Sequence, residues 1–484
     1  MNARIFQTIV LVTLSAVLLL VALWRPSEKE ATAAHGRCEV VFWHFWGGKD
    51  RAVVEAIVDR FNASQEKHFV RAVAMPGNNL DLKFFLAVTG GDPPDLLNQD
   101  DPVVADWAHR GAIMPLDEIA APGEIRGLGS ESRTISPGPL APAERGQAGE
   151  REQDVSQETS LEAWLFPAAR QLGTYNDRLY ALCNGLDIRA LYYDRSTLEE
   201  YGLSPPQTLS DLDHIAFTIA PPEGNLSGRR CGFLPNPQRS GAWGIVFSGR
   251  FYDPATGAIT ADSQPIVDAL EGMASYSRAY GPSNVSAFRQ GDQALTGAAS
   301  PLLAGRYVAI MDGQWRVREI HAWQDKREAA GLPVREFGVV PLPPPKGGAK
   351  RAGWVNGNFF IVPRSSSNPE GAWEFMKFWS GFGGNEAEAA RIAAAGGWIP
   401  ASQQVVEEPA FEEYLNEQPL FREFVELARS PKQVPTPAIP AAGYFQEIEM
   451  AAENVMYRGN DPRDELQQAA DRVRRRLANA RGER

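Results

Sequence analysis

The chain has 484 residues, 44% hydrophobic and 22% charged, a globular balance at a length that favours two lobes over one domain. Its formal net charge of −12 excludes a nucleic-acid binder, because neutralising phosphates needs clustered Lys and Arg, and the one basic run, RVRRR at 472–476, reads as the solvated face of a C-terminal helix. Cys38, Cys183 and Cys231 are too few and too scattered for a disulfide framework or a zinc site, and their odd number leaves at least one thiol unpaired within the chain.

Residues 5–24 carry no charge, follow Arg4 and stop at Arg25-Pro26. An apolar core after a basic start is a secretion signal, and about 20 residues are enough to span a bilayer. Residues 1–35 are therefore either a signal peptide cleaved near Ala31-Thr32-Ala33 or an N-terminal membrane anchor. His35-Gly36-Arg37 is not the small-residue setting of a lipidated cysteine at Cys38. Both readings place the globular part outside the cytoplasm.

Residues 39–43 form an apolar strand and 44–48 a loop rich in aromatic residues and glycine. Val53, Val54, Ile57, Val58 and Phe61 mark the inner stripe of a helix. A second strand follows at 70–73. Leu82, Phe85, Leu86 and Thr89 mark a second helix, closed by Gly90-Gly91, and residues 95–98 a third strand leading into Gln99-Asp100-Asp101. Alternating strands and helices predict an α/β fold with mostly parallel sheets flanked by helices. Residues 121–160 are rich in Gly, Pro, Ser and Glu and lack apolar periodicity, so a disordered or loosely packed insertion is expected.

Folded sequence resumes at Trp164. A strand is expected at 178–183, a connection at 184–188, a strand at 190–193 and a short helix at 196–201. A capped helix at 210–217 follows Pro205-Pro206, and Ile266, Leu270 and Met273 mark another. The strand at 307–311 runs into Asp312-Gly313-Gln314-Trp315, and a further strand spans 337–341. Residues 353–357 read as a turn and 359–362 as a short buried strand stopped by Pro363. Asn368-Pro369-Glu370 starts a helix, with Asn as N-cap and Pro where its missing N–H costs nothing. Terminal helices are expected at 444–456 and 464–480.

The sequence holds no G-x-S-x-G, H-E-x-x-H, G-x-x-x-x-G-K-[ST] or G-x-G-x-x-G motif, and its six histidines have no ligand spacing. No catalytic group, metal or cofactor is expected. A pair of carboxylates distant in sequence keeps a secreted carbohydrate-active enzyme as one alternative.

Five stretches in order carry a resemblance: VVFWHFWGG at 40–48, GGDPPDL at 90–96, ALYYDRSTLEEYGL at 190–203, GRYVAIMDGQW at 305–315 and GWVNGNFFIVPRSSSNPEGAWEFMKFW at 353–379. Together they resemble the extracellular solute-binding proteins of ABC importers, in the sugar-binding group that includes maltose- and glycerol-phosphate-binding proteins. The resemblance implies the type II two-lobed fold, hinged near 184–188. It divides the chain into lobe 1 at 36–184 with a return at 354–405, and lobe 2 at 185–353 with the C-terminal 406–484. It also implies a sugar or oligosaccharide ligand held between lobes, delivery to ABC permease subunits, and a monomer. Asp194 stands where relatives carry the Asn of a YYN motif.

A pyranose presents an apolar face and a fringe of hydroxyls, so its site mixes aromatic rings with a few polar groups. By loop position and by the resemblance, the candidate ligand-binding residues are His44, Trp46, Gln99, Asp100, Asp187, Trp243, Asp312, Gln314, Trp315, Trp354, Asn356 and Tyr444, with Trp315 the stacking ring. A sensory or scaffolding domain of the same fold, tethered by an uncleaved N-terminal helix, is the other alternative.

Overall fold

The computed structural model describes residues 36–77, 79–125, 160–222, 226, 228–292 and 299–482. The signal or anchor at 1–35, and the insertion except its first five residues and Ser160, lie outside the described residues. No helix among the described residues is long and apolar enough to cross a membrane. The chain divides into two compact units, one holding the residues to Leu96 with Ser366–Phe375, the other Leu97–Ser365 with Met376–Arg484.

In the first unit, β1 (Cys38–His44) and β2 (His68–Ala74) pair in parallel. Such a pair needs a crossover, and α1 (Gly48–Ser64) supplies it. Val54, Ile57, Val58 and Phe61 are its buried stripe, as the periodicity predicts. The expected inner face of α2 (Leu80–Gly90) is corrected. Leu80 and Phe84 are buried, whereas Leu82 and Leu86 are 56% and 62% exposed. Apolar residues lie all round this helix, so the four-residue period fits two faces equally and only packing chooses.

A carboxylate ties this unit together. Asp95 Oδ2 accepts from the Val41 N–H at 2.9 Å. Its Oδ1 accepts from the Ser367 and Asn368 N–H groups at 2.7 and 3.0 Å and from the Ser366 and Ser367 hydroxyls at 3.1 and 2.8 Å. These bonds fix the start of the helix Pro369–Ser380, where Asn368 Oδ1 accepts from the Gly371 N–H at 3.0 Å as an N-cap.

The second unit is built on β3 (Leu96–Asp100), β4 (Ala181–Asp194), β5 (Ala309–Gly313), β6 (Phe337–Val340), β7 (Gly353–Ile361) and β8 (Gln433–Pro435). The expectation of a mostly parallel sheet is corrected here. β4 runs antiparallel to β5, β6 and β7, and β7 antiparallel to β3; β8 lies parallel to β7. The partners of β4 come from more than a hundred residues further along the chain, so local β–α alternation does not set their direction.

Two expected breaks are also absent. The connection at 184–188 and the turn at 353–357 lie inside the continuous strands β4 and β7. Asn, Gly and Asp gave these segments a loop-like composition, but their backbones pair across the sheet instead of with water.

Helices pack around this sheet: α3 (Leu209–Ile219), α4 (Ser240–Val246), α5 (Gln264–Tyr280), α6 (Trp315–Ala329), α7 (Tyr444–Glu453) and α8 (Pro462–Arg481). Leu212, Ile215, Leu270, Met273, Ile448 and Leu466 are among the buried residues of the core shared by α3, α4, α5, α7 and α8. Thr208 and Asp211 form a reciprocal capping box at α3. Asp194 is fully buried at the end of β4, where it caps the next helix through the Thr197 N–H at 2.9 Å and meets Arg335 at 2.5 Å. Cys38 is exposed, and Cys183 and Cys231 are buried.

Candidate functional site

On an antiparallel ladder, opposed residues share a face, as do residues two apart on one strand. Asn356 opposes Asp187, Asn358 opposes Asp100, and Arg189 opposes Gly313. Period two then puts Trp354, Asn356 and Asn358 of β7 on one face with Asp187 and Arg189 of β4 and Asp100 of β3. The ladder register shifts just after Asn358. This face is a polar row inside strands that are otherwise packed with Leu, Ile, Val and Phe.

Asp187 is held by amides. Gln314 Nε2 donates to its Oδ1 at 2.6 Å and Asn358 Nδ2 to its Oδ2 at 3.3 Å. Gln314, fully buried between β5 and α6, also bridges the backbone of β4: it accepts from the Ile188 N–H at 3.3 Å and donates to the Leu186 carbonyl at 3.2 Å. Burial holds the Asp187 carboxyl above the usual range, with the positive charge of Arg189 opposing.

Arg189 is 5% exposed. Its guanidinium carbon lies 4.7 Å from the Trp315 ring centroid and 5.2 Å from that of Trp354, within the range of cation–π attraction. Its Nε and Nη1 have no hydrogen-bond partner. Burial, then the like charge of Arg239, lower its pKa to about 10. Trp354 is anchored at its edge, donating from Nε1 to Thr436 Oγ1 at 3.1 Å and meeting Phe445 edge-on at 5.2 Å. Trp315 sits over Gly313, where a Cβ would come within 2.3 Å of the indole; any larger residue there would displace the ring.

Two more acids feel this cluster. Asp100, although water-exposed, is raised to about 6 by desolvation and then by the charge of Asp187, with Arg189 opposing. Glu449 of α7 is raised to about 7 by desolvation, with Arg239 opposing. Asp312 is engaged otherwise, receiving Arg316 Nη2 at 2.5 Å and the Gly313 N–H at 2.9 Å. Beside it lies a cavity of about 310 Å³ lined by Asn236, Gln238, Met311, Arg316 and Tyr457 among others.

Of the residues singled out from sequence, Asp100, Asp187, Gln314, Trp315, Trp354 and Asn356 converge on this face or on its edge, with Asp312 next to it. Gln99 lies one residue off on the opposite face, and its Oε1 accepts from the Asp100 N–H at 3.2 Å. Trp243 is buried in α4 edge-on to Phe233, its indole N–H unpartnered. Tyr444 is a core residue whose hydroxyl donates to the Phe251 carbonyl. His44 and Trp46 belong to the other unit. There His44 is fully buried, its pKa lowered to about 4 by burial, 5.9 Å from the Trp46 ring.

Sequence reasoning missed Arg189, Asn358, Arg239 and Glu449. Arg189 and Asn358 could have been found by continuing the period of two from Asp187 and Asn356. Nothing local marks Arg239 or Glu449, which the fold brings in from the start of α4 and from α7.

The row holds orphaned acceptors as well as donors. Asn356 and Asn358 each keep a buried Oδ1 without a donor, against the unpaired nitrogens of Arg189 and the unpaired Nε of Arg239. Among the described residues no cluster of His, Cys, Asp and Glu could hold a metal ion. The chemistry on offer is hydrogen bonding to a polar solute beside aromatic rings.

A family model described as "Bacterial extracellular solute-binding protein" matches residues 47–381. Among solved structures, CpMnBP1 with mannotriose bound is similar at 22% identity, covering 90% of this chain and 100% of its own, with a TM-score of 0.71. The GacH receptor of Streptomyces glaucescens, solved unliganded and with acarbose, is similar at 19% identity, covering 92% and 99%, with a TM-score of 0.67. The sugar-binding protein MalE of Xanthomonas citri gives 19% identity, 92% and 98% coverage and a TM-score of 0.67. At these identities the likeness is one of fold, the two-lobed type II α/β arrangement.

Proposed function

Because the chain belongs to the family of bacterial extracellular solute-binding proteins, we propose that it is the substrate-binding component of an ABC importer. It captures a carbohydrate outside the cytoplasm on the polar face of β4 and β7 and passes it to a membrane permease. The observation that carries this reading is the set of buried, unpaired groups of both kinds on one face: acceptors at Asn356 and Asn358, donors at Arg189. Buried polar groups without partners cost about 1–3 kcal/mol each, so a fold keeps them where something else completes them. A hydroxyl both donates and accepts, and a solute bearing many hydroxyls pairs both kinds at once. The indoles of Trp315 and Trp354 supply the apolar part of the site. The mannotriose and acarbose in the similar structures are sugars and support the same class.

A thermal-shift panel of sugars, oligosaccharides, polyols and glycerol phosphodiesters tests the reading. A ligand at about a hundredfold over its Kd adds roughly 2.7 kcal/mol of stability, a clear rise in Tm. Trp315→Ala should abolish that rise while leaving the unliganded transition cooperative. A panel without a single hit, or a hit indifferent to Trp315→Ala, would sink it.

A further inference from the structure

Arg189 is the anomaly of the binding face. Arginine carries five N–H donors and stays charged, and a buried charge is normally paired. Here the side chain is 5% exposed, flanked by two indole rings, with Nε and Nη1 unpartnered.

The nearby acids do not complete it. Both oxygens of Asp187, its neighbour two residues back, are held by Gln314 and Asn358. Asp312 receives Arg316 and the Gly313 N–H. A second cation adds to the imbalance: the charge of Arg239 is felt at Arg189, and its own Nε is buried without an acceptor. The remaining acids facing the pair are Asp100 and Glu449, both raised toward neutrality, to about 6 and about 7.

Sugar hydroxyls would satisfy the orphaned amide oxygens of Asn356 and Asn358, but they bring no charge to the buried guanidinium of Arg189, which has a second cation, Arg239, near it. An anionic oxygen pair can, and it matches the planar guanidinium fork bidentately. Resting on the carbohydrate reading above, we infer that the natural ligand is an acidic carbohydrate, carrying a carboxylate or phosphoryl substituent that docks on Arg189 with Arg239 behind it.

Isothermal titration calorimetry on the purified protein decides this with matched probes: an oligogalacturonate against its methyl ester, glucuronate against glucose, and glucose 6-phosphate against glucose. The acid of at least one pair should bind tenfold or more tighter than its neutral counterpart, and which pair responds separates carboxylate from phosphoryl recognition. Arg189→Met should erase the preference, costing the acid at least tenfold more affinity than its neutral partner, and Arg189→Lys, which keeps the charge but not the fork, should retain part of it. Urea unfolding of both variants verifies that they are folded. Neutral sugars binding as tightly as their acids, or a preference that survives Arg189→Met, would overturn the inference while leaving the carbohydrate reading intact. No binding by any probe would remove the carbohydrate reading, and this inference with it.

Discussion

Two carboxylates in this chain, Asp95 and Asp187, are both held away from bulk water by a set of hydrogen bonds, and they do opposite work. Asp95, in the first unit, accepts five hydrogen bonds that join β1 to the start of the helix Pro369–Ser380. Its donors are backbone N–H groups and serine hydroxyls, so both of its oxygens are engaged within the unit. Asp187, in the second unit, is held by two amides whose own oxygens or neighbours remain open: Asn358 Oδ1 has no donor, Asn356 beside it has none, and Arg189 has unpaired nitrogens. The bonds of Asp95 are architecture; the polar groups held in place around Asp187 and left incomplete are the proposed binding surface.

The contrast is broken most forcefully at Asp95. Asp95→Ala strands two backbone N–H groups with no alternative acceptor, at about 1–3 kcal/mol each. Urea denaturation should show a loss of about 4 kcal/mol, with ligand affinity of the remaining folded protein unchanged. A loss below about 1 kcal/mol would mean that water replaces the carboxylate.

A smaller effect separates the two regions by pH. Glu449, raised from 4.5 to about 7, holds its proton more tightly in the folded state. Its contribution is fully present below pH 4.5 and is lost as pH rises through 7. His44 has the opposite sign: lowered from 6.5 to about 4, it contributes above pH 6.5 and its contribution is lost as pH falls through 4. Glu449→Gln should remove about 1–2 kcal/mol of pH dependence between 4.5 and 7 in the unliganded protein, a figure already reduced for its partial exposure. Tm against pH for the wild type and the variant measures it; superimposable profiles would deny the group its burial.

The smallest effect is expected at Trp354, whose one polar atom the fold does complete. Thr436→Val removes the acceptor of its indole N–H and should cost about 1 kcal/mol, seen as a shift of the urea midpoint at unchanged slope. Ligand affinity should fall only slightly, because Phe445 still holds the ring edge-on. A tenfold loss of affinity would instead make Thr436 a positioning residue for the site.

Much of this was legible in the residues. The stripe of α1, the N-cap at Asn368 and the α/β alternation follow from periods of 3.6 and 2 and from capping chemistry, which act over a few residues and need no tertiary context. Five short motifs in order were enough to indicate the family. Asp187, Trp315, Trp354 and Asn356 were found as polar or aromatic residues at the ends of apolar runs. The tertiary structure decided what depends on partners distant in the chain. It made β4 and β7 continuous through Asn-Gly and Asp stretches, because the amides of Gln314 and Asn358 replace water there. It set the antiparallel sense of the central strands, turned Leu82 and Leu86 outward on a helix apolar all round, and made Asp95 a structural hub. It also brought Arg239 and Glu449 to Arg189. A hydrogen bond or an electrostatic pair between residues one or two hundred positions apart leaves no period in the sequence, so the charge balance of the proposed binding face belongs to the fold alone.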